Sequence, residues 1–94
     1  GQARMDDTCS VEDLCRTAGR LTRTGGRFAL VYRPERLAEL FAALQKARLE
    51  PKRMQLLSYH RTKAPYAVLV EAVKEGGPGL DILPTHYQTE DRLT

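Results

Sequence analysis

Val11, Leu14, Cys15, Ala18 and Leu21 recur at intervals of three and four residues, which is the spacing of one helix face. Ser10 precedes them as a good N-cap, and Glu12 and Asp13 fall in the first turn, where the helix dipole favours acids. The pattern predicts a helix over residues 11–23, with Arg20 and Arg23 near its negative end. Gly25-Gly26 then stops it, because glycine takes the positive φ of a helix C-terminus without steric cost. Phe28 to Tyr32 is a continuous apolar run rich in strand formers. It predicts a strand over residues 27–32 with neighbours on both sides and cover on both faces. Arg33-Pro34 ends that strand, since proline has no amide proton for the ladder and suits the first turn of a helix. Leu37, Leu40, Phe41, Leu44 and Ala47 form the apolar stripe of this second helix, and Glu35, Glu39, Gln45 and Lys46 lie off it. Glu50-Pro51 is expected to end the element, because the residue before proline avoids the helical region.

Beyond Pro51 the period falls to two. Met54, Leu56 and Ser58 alternate with Gln55, Leu57 and Tyr59, which predicts a second strand over residues 53–60. Residues 61–65 have the length of a hairpin loop, and residues 66–73, centred on Ala67-Val68-Leu69-Val70, read as a third strand. Gly76-Gly77-Pro78-Gly79 is a flexible break. Leu80 to Pro84 is a short apolar segment suited to lie against the sheet, and residues 85–94 are expected to fray. The order is α-β-α-β-β. A helical crossover makes strands one and two parallel, and the hairpin makes strand three antiparallel. The apolar run of strand three favours the central position, giving the spatial order 1-3-2.

Composition narrows the class. The 94 residues are expected to form a single domain, 1–94, with an ordered core at about 9–84. At 41% hydrophobic and 29% charged the chain is globular, and it holds no apolar run of the roughly 18 residues a membrane helix needs. Cys9 and Cys15 are the only cysteines. Their spacing is not that of a zinc site, and a reduced cytosolic pair explains them better than a disulfide framework. His60 and His86 stand apart with no ligand cluster, so no metal site is expected. Gly76-Gly77-Pro78-Gly79 lacks the spacing and the following helix of a phosphate loop.

Charge is uneven. The net +3 hides a block from Arg16 to Lys63 with twelve Lys and Arg against three acids, hence +9. Such a block attracts polyanions, RNA above all; the alternative is a solvated face of snorkelling side chains.

The run from Gly25 to Leu37, Gly-Gly-Arg-Phe-Ala-Leu-Val-Tyr-Arg-Pro-Glu-Arg-Leu, resembles the bacterial small-domain methyltransferases, which act on N6 of an adenine beside the anticodon of a valine tRNA. Leu49-Glu50-Pro51-Lys52-Arg53, Leu69-Val70-Glu71-Ala72, Gly79-Leu80-Asp81-Ile82-Leu83-Pro84 and Ala3-Arg4-Met5-Asp6 extend the resemblance over most of residues 3–84. It implies an α/β fold, the last part of a Rossmann-like sheet of a class I S-adenosylmethionine-dependent methyltransferase, with the seventh strand antiparallel between the fifth and sixth. The family's glycine-rich cofactor loop, its ribose-binding acid and its Asn-Pro-Pro-Tyr motif are not among the 94 residues. Two family positions differ: Met5-Asp6 replaces His-Glu, and Thr24 replaces a proline. The resemblance therefore implies a C-terminal fragment, inactive alone. It would bind no S-adenosylmethionine itself and carry no catalytic residue, while the intact cytoplasmic enzyme would use that cofactor and act on tRNA.

Arg33 and Arg36 follow the carboxyl end of strand one, the edge where open α/β sheets gather ligands. By the resemblance they face RNA phosphates; otherwise they pair with Glu35 or Glu39. His60, Arg61 and Lys63 form a second basic tip, flanked by Tyr59 and Tyr66, which either stack on a base or serve as core-edge aromatics. Two further classes stay open: a free-standing basic RNA-binding α/β module, and a small interaction or oligomerisation domain. With the upstream strand absent, residues 27–32 would form an apolar sheet edge, which predicts a homodimer through it.

Overall fold

The computed structural model describes residues 10–89. Helix α1 spans Val11–Leu21, strand β1 Arg27–Tyr32, helix α2 Leu37–Lys46, β2 Leu49–Ser58, β3 Ala67–Lys74, β4 Asp81–Ile82 and β5 His86–Tyr87. A 3₁₀ turn, Pro34–Arg36, leads into α2. The sheet order is β1-β3-β2-β4, with β5 also on β2, so the core order is the predicted 1-3-2. β3 is antiparallel to both neighbours, from Arg27↔Val73 to Tyr32↔Val68 on β1 and from Leu49↔Lys74 to Leu57↔Ala67 on β2.

Local chemistry explains the helix ends. The Ser10 hydroxyl accepts from the Asp13 amide at 3.1 Å, satisfying one of the four free donors of α1. At the other end the Lys74 ammonium donates to the carbonyls of Gly19 and Thr22, placing a cation on the negative pole of α1. Gly25, at φ +85°, turns the chain so that its own amide donates to the Lys74 carbonyl at 2.9 Å. The glycine pair thus both releases the helix and begins the β1–β3 ladder.

Both helices pack on one face of the sheet. Cys15 and Ala18 of α1 and Leu40, Ala43 and Leu44 of α2 meet Met54, Val68, Val70 and Ala72, with Phe28, Leu30 and Tyr32 packed against them. The helices touch at Gly19, where an added Cβ would lie 2.6 Å from the Ala47 carbonyl oxygen. Lys46 and Glu12 tie them together at 2.8 Å, and Lys46 holds the Glu12 carboxyl below its usual pKa. Burial pushes the Cys15 thiol up to about 11, so it stays protonated and packs as a small hydrophobe. Cys15 is free; Cys9 lies outside the described residues.

Four expectations need correcting. β1 is not covered on both faces among the described residues: Phe28, Leu30 and Tyr32 are partly buried, while Ala29 and Val31 are exposed, Val31 by 57%. Its only described neighbour is β3, so among the described residues its other edge is open. β2 runs through Pro51 instead of starting after it. Proline is tolerated there because β4 joins β2 only at Arg53 and Met54, leaving Pro51 one neighbour, and a bulge between Pro51 and Arg53 absorbs the irregularity. The α2–β2 turn is made by Arg48 at φ 65°, not by Glu50-Pro51. Residues 85–89 do not fray away: Asp81 to Thr89 follows the outer edge of β2, with amides of Leu83, Gln88 and Thr89 donating to Met54, Ser58 and Tyr59. β5 extends that edge in parallel, Leu57↔His86 and Ser58↔Tyr87.

Candidate nucleic-acid interface

β1 and β2 are parallel to each other across β3, and both end at one edge of the sheet. Tyr32 pairs with Val68 and Leu57 with Ala67, neighbouring positions on β3. The chain leaving β1 and the hairpin leaving β2 therefore emerge side by side, roughly 10 Å apart at two strand spacings. This register brings the five basic residues singled out by the sequence to the same edge: Arg33 and Arg36 beyond β1, and His60, Arg61 and Lys63 in the β2–β3 hairpin.

Their charges are not equivalent. The Arg36 guanidinium lies 2.9 Å from the Glu39 carboxylate, which raises its pKa further and neutralises much of its field. Arg33 is exposed, as are Arg61 and Lys63, and among the described residues none of the three makes an ion pair. Arg20 and Arg23, near the end of α1, are likewise exposed and without an ion pair among the described residues. Arg16, Arg27, Lys46, Arg48 and Arg53 each face a carboxylate. No Asp or Glu occurs between Glu50 and Glu71, so no acid neighbours the hairpin within that stretch of sequence.

The hairpin is also well built. Ser58, buried at 1% exposure, places its hydroxyl 3.1 Å from the His60 carbonyl and 3.0 Å from that of Lys63. The single hydroxyl proton serves either carbonyl, so this side chain pins both arms of the turn. The Lys63 amide donates to the His60 carbonyl at 2.9 Å, and the Tyr66 amide to Leu57 at 2.8 Å. His60 Nδ1 lies 3.0 Å from the Thr62 hydroxyl and accepts from the Thr62 amide.

Sequence reasoning missed two features. Tyr87 sits under Arg61, whose guanidinium carbon is 5.6 Å from the ring centre; a polar tail gave no sign that it would return to the hairpin. On the sheet face opposite the helices, a cleft of about 230 Å³ is lined by Ala29, Arg53, Gln55, Leu69, Glu71 and Leu83, with Met54. Arg27 and Arg53 flank Glu71 there, at 3.5 and 3.7 Å. No grouping of three or more potential metal ligands occurs among the described residues, and no described helix is long and apolar enough to cross a membrane.

No protein-family model and no curated protein matches the chain. Among solved structures it is similar to a predicted O-methyltransferase, protein Atu636 from Agrobacterium tumefaciens. The TM-score is 0.79 at 27% sequence identity, over 87% of this chain. The match spans 39% of that structure's length. The similarity accords with the sheet order: the chain has an α/β fold with the mixed, 1-3-2 strand arrangement of part of a Rossmann-like methyltransferase sheet.

Proposed function

We propose that the chain forms part of an S-adenosylmethionine-dependent methyltransferase that acts on an adenine amine of tRNA. The observation that carries the methyltransferase reading is the likeness to a predicted O-methyltransferase over 87% of the chain. In this reading the cofactor and the catalytic groups belong to other parts of the enzyme, and these residues close the sheet and supply its carboxyl edge. The choice of RNA rests on that edge, where Arg33, Arg61 and Lys63 keep their charge unpaired among the described residues. Phosphates attract such side chains and release counterions as they bind. The adenine amine is supported by the resemblance of Gly25 to Leu37 to the tRNA enzymes.

The test is methyl transfer from labelled S-adenosylmethionine to bulk tRNA by the protein that carries this chain, followed by nucleoside analysis. Label in N6-methyladenosine is the expected result. Label on a ribose hydroxyl would move the reading to an oxygen acceptor, and no label in RNA would overturn it.

A second reading, the free-standing RNA-binding module, is favoured by the open edge of β1 and the exposed Val31. There the edge pairs with a second copy, whereas in the enzyme it takes a further strand of the same sheet.

A further inference from the structure

Tyr59 and Tyr66 face each other across the base of the hairpin with ring centres 4.5 Å apart and planes inclined by 29°. The two residues remain 54% and 42% exposed. They belong to none of the packing around Leu40, Leu44 and Val70, so the core does not account for them. Their backbones are held: the Tyr66 amide donates to Leu57 at 2.8 Å, and the Tyr59 carbonyl accepts from the Thr89 amide at 2.9 Å. The Tyr66 hydroxyl reaches Gln88 at 3.5 Å. Arg61 lies over Tyr87 beside them, and His60 and Lys63 are exposed in the same loop.

We propose that the Tyr59–Tyr66 pair is a stacking platform for an unpaired nucleobase, with Arg61 and Lys63 holding the adjacent phosphates. The proposal rests on the RNA reading above and adds to it the strandedness of the substrate. A stacked pair presents an outer aromatic face at little entropic cost, because each ring is already held by the other and by its backbone. Bases of any identity stack on such a face, and cations beside it supply the sequence-independent part of the binding. The other exposed large apolar side chains, Leu21 of α1, Val31 of β1, Leu69 of β3 and Ile82 of β4, lie on helix and strand positions outside the loop of residues 59–66. The tip thus offers tyrosine and positive charge without aliphatic anchors, which suits a base better than a lipid surface.

The chain contains four tyrosines and no tryptophan, so the part of the tyrosine emission lost on replacing Tyr59 and Tyr66 reads the platform, while Tyr32 and Tyr87 supply the rest. The experiment titrates the chain with a 12-nucleotide single-stranded RNA and with an abasic oligomer of the same length and charge. Tyrosine quenching by the RNA alone is expected. The paired substitution Tyr59→Leu and Tyr66→Leu should weaken RNA binding about tenfold or more, bringing it to the affinity of the abasic oligomer. Tyr59→Phe with Tyr66→Phe, which keeps the rings, should retain wild-type affinity, and a wild-type circular dichroism spectrum of the leucine variant separates lost stacking from misfolding. Equal binding of both oligomers, or leucine variants that bind RNA as the wild type does, would overturn the platform while leaving the RNA reading standing. A chain that binds neither oligomer, or that binds anionic vesicles in preference to both, would overturn both.

Discussion

Leu44→Ala is expected to lower the free energy of unfolding by about 2–5 kcal/mol, the range for emptying a fully buried leucine site. Leu44 is 0% exposed and lies among Leu40, Cys15 and the apolar face of the sheet. All its neighbours belong to elements fixed by backbone ladders or helix bonds, so the space left by three carbon atoms does not refill. Few residues among those described are buried so completely, and a typical total stability is only about 5–15 kcal/mol. Urea denaturation followed by circular dichroism should show the midpoint fall sharply or the transition vanish. A loss under about 1 kcal/mol would mean that the helix layer is looser than described.

Gly19→Val should cost about 2–3 kcal/mol for the opposite reason, overpacking. The first added carbon would stand 2.6 Å from the Ala47 carbonyl oxygen and 3.0 Å from the Ala47 Cβ. The oxygen is backbone and has no rotamer to change, so α1 and α2 must separate. That movement would also stretch the Glu12–Lys46 contact and pull the Gly19 carbonyl from the Lys74 ammonium. Gly19→Ala meets the same clash but recovers up to about 1 kcal/mol of helix propensity, so it should fall between valine and wild type. Gly77→Ala is the control: nothing lies within 4 Å of its added Cβ, and it should change stability by no more than about 0.5 kcal/mol. The same denaturation measurement ranks all three.

Most of the sheet was legible because its signals are local and strong. Gly25-Gly26 and Arg33-Pro34 bracket β1, and a short loop, read as residues 61–65 and found as 59–66, with an apolar run behind it leaves β3 little choice but the centre. The Ser10 cap was legible for the same reason: the residue type and its spacing from Asp13 carry the geometry. What the sequence hid depends on partners distant along the chain. Pro51 looks like a terminator, and only the short reach of β4 along β2 lets it lie inside a strand. Arg48 gives no sign of a left-handed conformation. That turn is held by the Glu75 amide on the Arg48 carbonyl at 2.8 Å and by the ion pair between the two side chains. The apolar run of β1 reads as buried on both faces, yet Ala29 and Val31 are open among the described residues.

The candidate interface divides similarly. The five basic positions were readable from charge and from the ends of the predicted strands. Their inequality was not, because it is set by the ion pair of Glu39 with Arg36, which the described residues do not repeat at Arg61 or Lys63. Ser58, which fastens the hairpin, looks in sequence like an ordinary inward polar residue. Tyr87 reaches Arg61 only because the chain after Ile82 follows the β2 edge.

The carboxyl edge of the sheet, and the hairpin in particular, is the surface proposed to hold RNA phosphates. The most direct test is the salt dependence of binding to a tRNA anticodon stem-loop, compared between the wild type and the chain carrying Arg61→Ala and Lys63→Ala. Each lost phosphate contact on a single strand should reduce the slope of log K against log salt by about 0.7, so the pair should lose about 1.4. Arg16→Ala with Lys46→Ala, which removes the same charge from ion pairs on the helix layer, should leave the slope unchanged. A slope that stays at the wild-type value in the hairpin variant, or falls equally in both, would contradict the account.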